Sequence, residues 1–250
     1  MRDHDVPVSL SEQALVEWLT REGRCRYHDH HPFHQLMHAG KLTKFQLQQW
    51  VLNRYYYQTR LPIKDALILA KSDLDVSFRR QWIERIHQQD GKQEGEGGLT
   101  LWLGLAEGVG LDVEEVKSCQ GVLPGVRMAC DHYVELVREM SLLEAVALSL
   151  TELFAPDLMS KRIAVWEEHY PWVDQKALVY FRTRISRASL DCKEALEFVL
   201  THATTYDLQE RCVKALIAKT QILWHLLDCL SLAYIHQGLP AQGESLDSRE

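Results

Sequence analysis

The 250-residue chain lacks any apolar run long enough to span a bilayer, and its first residues, MRDHDVPVSL, lack the apolar core of an export signal. It has no excess of positive charge. Its 28 Lys and Arg against 35 Asp and Glu leave a net charge of −7, which argues against a general nucleic-acid binder. None of its six cysteines (Cys25, Cys119, Cys130, Cys192, Cys212 and Cys229) forms a C-x-x-C pair. That pattern argues against a zinc ribbon or a disulfide framework and suits a reducing cytosol. There is no glycine-rich phosphate loop, because GKQEGEGG lacks both the P-loop spacing and a strand before it. Strand-like alternation, internal repeats and interdomain linkers are also absent.

What remains is helical spacing in a chain with 46% apolar and 25% charged residues, the composition of a globular protein with a substantial core. Ser9 with Glu12, Thr43 with Gln46 and Ser141 with Glu144 each read as a capping box opening a helix. The pattern predicts a first helix from about Leu10 to Glu22 and a short one from Pro32 to Gly40. A long helix from Lys44 to about Ala70 should bend near Pro62. Further helices are expected over about 76–89, 99–107, 124–140, 142–154, 157–169, 174–203 and 206–235. The loop DGKQEGEGG is expected to be mobile, and the tail of residues 237–250 disordered. The expectation is one all-α domain over residues 1–250, a bundle of about eight main helices.

The polar residues that matter most stand where a core should be. Lys219 has Cys212, Ala215, Leu216, Ile222, Leu223 and Leu226 at i±3, i±4 and i±7, so its ammonium lies on the apolar stripe of the last helix. Arg54, Tyr57, Gln58 and Lys64 share one side of the long helix. Arg85 lies with Phe78 and Trp82, Tyr180 and Arg184 are one turn apart, and Glu152 interrupts an almost wholly apolar segment. Each taken alone suits a snorkelling side chain or a structural ion pair. Together, Arg54, Lys64, Arg85, Arg184 and Lys219 exceed what Glu152 can balance. A bound polycarboxylate would balance them, since guanidinium forks match carboxylates.

The segments YHDHHPFHQLMHAG, QWVLNRYYYQTRLPIKDA, LPGVR, SLTELFAP, HYPW, YFRTR and KTQILW, spread over residues 10 to 236, resemble the pyrroloquinoline-quinone synthase family. The resemblance implies a haem-oxygenase-like helical bundle. It implies a homodimeric cytoplasmic oxidase with no metal and no organic cofactor, bound to neither membrane nor nucleic acid. The implied reaction closes the last ring of a tricarboxylated hexahydroquinoline-dione and oxidises it with dioxygen as co-substrate, releasing hydrogen peroxide. Carried onto this sequence, the resemblance puts Tyr27, Arg54, Tyr57, Gln58, Lys64, Arg85, Tyr133 and Arg162 around the substrate. His28, Glu152, Tyr180, Arg184 and Lys219 would take catalytic parts. A mobile element would close over the substrate, either the 174–203 helical region or the glycine-rich loop. Two positions depart from the family pattern. Gln89 and Met159 stand where the family has histidines that line the site.

Three other readings stay open. His31, His34 and His38 in RYHDHHPFHQLMH have the i+3 and i+4 spacing of helical metal ligands. Glu84 and His87 form half of a di-iron bundle signature, with no second Glu-x-x-His. The same cations could also serve a non-enzymatic carrier of the quinone or its precursor, a reading that the losses at Gln89 and Met159 keep alive.

Overall fold

The structure, a computed structural model, describes residues 9–73 and 75–236. The 237–250 tail lies outside the described residues. Eleven α-helices occur among them, with three 3-10 segments and no strand: α1 Glu12–Arg26, α2 Pro32–His38, α3 Lys44–Lys71, α4 Val76–Asp90, α5 Gly97–Gly108, α6 Val113–Ser118, α7 Pro124–Glu139, α8 Leu142–Ala147, α9 Ala155–His169, α10 Val179–His202 and α11 Tyr206–Tyr234. The 3-10 segments are His28–His30, Leu148–Phe154 and Gln175–Leu178. Among the described residues no helix is long and apolar enough to cross a membrane, and all six cysteines are free thiols.

Two of the three capping boxes form as read, Thr43 with Gln46 and Ser141 with Glu144. The third does not. Ser11, not Ser9, caps α1 by accepting from the Ala14 amide, and α1 runs a turn further than expected, to Arg26. The spacing also missed α6, which is too short to show an apolar period.

The helix expected over 142–154 splits. It is α-helical only to Ala147, then tightens to 3-10 geometry through Phe154. At three residues per turn, Ser149 and Glu152 fall on one edge of that segment. Pro156 does not break a helix but sits in the first turn of α9, where its missing N–H leaves nothing unpaired. The long α3 continues through Pro62 to Lys71.

Helices α3 and α11 are the two long buried rods. α3 packs on α4, α5 and α7, and α11 on α1, α7 and the Leu148–Phe154 segment, while α10 lies along α9. In the centre, buried Trp166 meets Trp50 and Phe181 edge to face, Trp102 meets Phe181 the same way, and Trp50 lies tilted against Trp102. Gly23 lets α1 approach the Leu148–Phe154 segment, because a Cβ there would lie 2.5 Å from the Phe154 ring.

The glycine-rich loop is a tight turn. Gly91 and Gly97 take φ of 86° and 89°, and a Cβ on Gly97 would sit 2.6 Å from the Gln89 carbonyl oxygen. A Gly23→Val variant should unfold at lower denaturant by about 1–3 kcal/mol through overpacking against Phe154, measurable by urea denaturation followed by circular dichroism.

Candidate active site

A chamber holding about 740 Å3 of non-atom space lies among α3, α5, α7, α9, α10, α11, the Leu148–Phe154 segment and the turn before α2. Each helix presents one stripe to it. α3 contributes Trp50, Arg54, Tyr57, Gln58, Leu61 and Lys64, a run of three- and four-residue steps along one face. α9 contributes Ala155, Met159 and Arg162, α10 Tyr180 and Arg184, and α11 Lys219 and Leu223. Tyr133 comes from α7, Trp102 from α5, Ser149, Thr151 and Glu152 from the 3-10 segment, and Tyr27, His28 and His34 from the chain before and within α2.

Twelve of the thirteen residues picked from the sequence therefore meet on one wall. Arg85 is the exception. It is not on the chamber surface but one layer behind it, stacked over Trp82 with 4.1 Å from its guanidinium carbon to the ring centroid. It donates to Glu152 at 2.9 Å and to the Asp191 carbonyl. Arg85 thus stands behind Glu152 and holds its carboxylate in place. The wall also includes His34, Trp50, Trp102, Ser149 and Thr151, which were not picked. In the sequence His34 stands out only by the metal-ligand spacing of the histidine run, and Ser149 and Thr151 carry no sequence signal of a site.

The charges sort into two groups. Lys64 is balanced by Asp65, 2.6 Å away, and also donates to Ser149 at 3.0 Å. The Trp82 indole N–H fixes Asp65 at 2.9 Å. Arg184 lies 3.8 Å from both Glu152 and Asp191. Burial opposes the charge on Glu152, but Arg85 and Arg184 outweigh it and hold the carboxyl below its ordinary range. Asp191 goes the other way, raised by burial and then by Glu152. Asp65 and Asp191 are buried as well, so the charge imbalance is smaller than Glu152 alone implies.

Arg54, Arg162 and Lys219 form the second group. No carboxylate lies within 4.0 Å of any of them among the described residues. Arg54 stacks on Tyr57, 3.9 Å to the ring centroid. Arg162 lies over Trp50, its Nη2 is 3.3 Å from His34 Nε2, and its buried Nε has no partner. Burial beside Arg54 presses this guanidinium down to about 9. Lys219 is 1% exposed, and its unpartnered ammonium stands 3.2 Å from the Tyr133 centroid and 4.3 Å from that of Tyr57. Burial, with Arg54 and Lys64 nearby, pushes Lys219 well below the usual lysine range. Two near-parallel phenol rings hold it by cation–π attraction. Neutral donors complete the wall: burial raises Tyr27, Tyr57, Tyr133 and Tyr180, so these phenols keep their protons.

The histidines separate in space. His31 caps α2 by accepting from the Phe33 amide and meets Asp228 at 3.0 Å. His28 and His34 face each other, Nδ1 to Nδ1, at 3.1 Å. His38 stacks on His34 with both ring nitrogens buried and unpartnered. No group of three or more His, Cys, Asp or Glu side chains is arranged to hold a metal among the described residues. Glu84 and His87 pair with each other at 3.2 Å on the outer face of α4, where Lys92 joins them. Met159 does line the chamber. Gln89 does not: it is buried at the end of α4, where its amide oxygen would be 2.5 Å from a Cβ on Gly98. The glycine-rich loop contributes no residue to the wall, whereas α10 contributes two.

A cationic chamber inside a helical bundle defines the class, and the backbone agrees. Solved structures with the same course include a domain with a heme oxygenase-like fold from Shewanella denitrificans, with a TM-score of 0.71 at 15% identity over 90% of this chain and 94% of that one. A TenA homologue from Pseudomonas syringae pv. tomato has a TM-score of 0.65 at 15% identity over 88% and 92%. The TENA/THI-4/PQQC family model matches residues 21–229, and the chain belongs to that family. Curated relatives named pyrroloquinoline-quinone synthase are 49% identical in Rhizobium meliloti, over 97% of this chain and 94% of that protein, and 47% identical in Rhizobium rhizogenes, over 97% of each. One from Acinetobacter calcoaceticus is 46% identical over 94% and 92%.

Burial lowers His28 and His34 well below the ordinary histidine value and His38 to about 3. Below about pH 6.5 the unfolded chain therefore takes up protons that the folded chain refuses, so stability falls as the pH falls. Denaturation midpoints measured from about pH 7 to 4 should show this decline, and His38→Phe should reduce its slope by up to about one proton per molecule.

Proposed function

We propose that this chain completes pyrroloquinoline quinone biosynthesis. It closes the last ring of a tricarboxylated, partly reduced quinoline quinone and oxidises it with dioxygen, releasing hydrogen peroxide. The observation that carries the reading is a set of three cations on the chamber wall with no carboxylate of their own: Arg162 and Lys219, both buried, and the half-buried Arg54. A tri-acid supplies three anionic groups to neutralise them, and a guanidinium takes a carboxylate in two parallel hydrogen bonds. The curated relatives across nearly the whole chain support the same reading.

The chain's own residues divide the work. Arg54, Arg162 and Lys219 hold the carboxylates, Lys64, already paired with Asp65, adds a donor beside them, and Tyr27, Tyr57, Gln58 and Tyr133 line the ring system. Glu152, held in place by Arg85 and Arg184, orients the substrate or one of its protons. Each pair of electrons passed to dioxygen needs two protons to leave as peroxide. Tyr180, Arg184 and Lys219 surround the space where that charge develops, and preorganised donors there stabilise it. We assign no metal and no organic cofactor to the reaction. We further propose that the protein is a homodimer in the cytosol and that the α10 region, which brings Tyr180 and Arg184, is the element that closes on the substrate.

Anaerobic mixing with the reduced tricarboxylated quinoline, followed by oxygen, should give a quinone absorption spectrum and peroxide. Tight binding without quinone formation would instead favour a carrier, the outcome to which Met159 on the chamber wall points. Near-stoichiometric iron in active protein would argue against the metal-free reading.

Lys219 gives a second test. Its depressed ammonium destabilises the empty protein most at low pH, and that effect vanishes above the ordinary lysine range. A carboxylate beside Nζ restores the charged form, so binding should draw a proton from solution. Calorimetry in two buffers of different ionisation enthalpy should detect this uptake near pH ~9. In Lys219→Met the uptake should fall to the part that Arg162, itself held at about 9, contributes, affinity should fall about tenfold or more, and the ligand-free protein should become more stable.

A further inference from the structure

Two imidazoles and a guanidinium stand in line at one end of the chamber, and their atoms leave a single consistent proton assignment. His34 Nδ1 lies 2.9 Å from the His28 carbonyl oxygen. A carbonyl can only accept, so His34 Nδ1 carries the hydrogen. The same N–H faces His28 Nδ1 at 3.1 Å. Two N–H groups at that distance would repel, so His28 Nδ1 is bare and shares the donor with the carbonyl. The other nitrogen of His34, Nε2, lies 3.3 Å from Arg162 Nη2. A guanidinium can only donate, so Nε2 accepts and His34 is neutral. Both its nitrogens are then occupied, and neither remains for a ligand. All three side chains are buried, His28 at 4%, His34 at 2% and Arg162 at 3% exposure, so water does not compete for these bonds.

We infer that His34 is a positioning residue: held neutral by Arg162, it fixes the ring of His28 so that its hydrogen sits on Nε2. His28 has no other side-chain hydrogen bond among the described residues, so its Nε2–H is the polar atom it offers to the chamber. His28 thus serves as a neutral hydrogen-bond donor to charge developing on the bound ring system, not as a base. A base would need a bare nitrogen facing the substrate, and the bare one faces His34. Burial and the neighbouring Arg54 and Arg162 favour the same neutral state. The donor role rests on the oxidase reading above; the tautomer does not.

The test uses full-length, ligand-free protein labelled with 15N-histidine. Long-range proton–nitrogen spectra distinguish bare from protonated ring nitrogens, and His28→Gln identifies the His28 signals. In the wild-type protein His28 should show a bare Nδ1 and a protonated Nε2 from about pH 6 to 8. His34→Phe, which keeps an aromatic ring but removes the donor, should shift His28 to a mixture of tautomers. His34→Asn, whose amide nitrogen overlies Nδ1, should restore the wild-type pattern. In turnover, His34→Phe should lower kcat about tenfold or more with KM within about threefold, and His34→Asn should recover most of it. A protonated Nδ1 on wild-type His28, or a His28 spectrum unmoved by His34→Phe, overturns the proposal. If His34→Phe does not fold, the wild-type assignment alone decides, by the same criterion. Because the spectra need no substrate, a wild-type protein with the expected tautomer but no quinone product would sink the oxidase reading and leave the His34 assignment standing.

Discussion

The structure depends on one electrostatic constraint: three cations face the interior with no anion of their own, Arg162 and Lys219 buried and Arg54 half-buried. An isolated charge in a low-dielectric interior is costly by several kcal/mol even after relaxation. Arg54 and Lys219 reduce that cost by lying on tyrosine rings, and Arg162 by lying on Trp50 and beside a neutral imidazole. None of these contacts replaces a carboxylate. The rest of the bundle has to hold these groups apart and inward, and the long buried α3 and α11, interlocked with the central tryptophans, do so. In this protein stability and function pull against each other at the chamber wall.

A second set of charges shows how the molecule keeps that tension local. Lys64, Arg85 and Arg184 are just as interior, yet each has a carboxylate partner in Asp65, Glu152 or Asp191. Paired in this way they are fixed in geometry and add little net field. Glu152 is the hinge between the two sets. Its oxygens are tied to Arg85 behind the wall and to Arg184 on it, while the residue itself lines the chamber. The 3-10 segment makes this possible, because its tight turn puts Ser149 and Glu152 on one edge.

Much of the site was legible because buried polar residues on an apolar helical stripe are anomalies that spacing alone reveals. Lys219 amid six small or apolar neighbours is the clearest case, and it is 1% exposed. The errors have physical causes too. Ser9 and Ser11 both stand ahead of the first helix, and only the backbone course decides which serine side chain reaches an amide. Arg85 lies on the apolar face of α4 as expected, but whether that face meets the chamber or the layer behind it depends on how α4 packs on α3 and α5 and reaches α10. Asp65 and Asp191 carry no mark in the sequence, because a single carboxylate on a helix looks solvated until a partner is known.

By itself, the sequence determined the all-α class, the main helices and the inward placement of a cationic set, since helical period and capping chemistry are local properties of neighbouring residues. It also carried the family resemblance, through many short segments spread along the chain. Only the tertiary structure decided which cations are balanced and which are not. It alone brought His28, His34 and Arg162 into one line, and it turned Arg85 and Gln89 away from the chamber. Those are distances between residues far apart in the chain, set by how helices pack, and no local pattern encodes them.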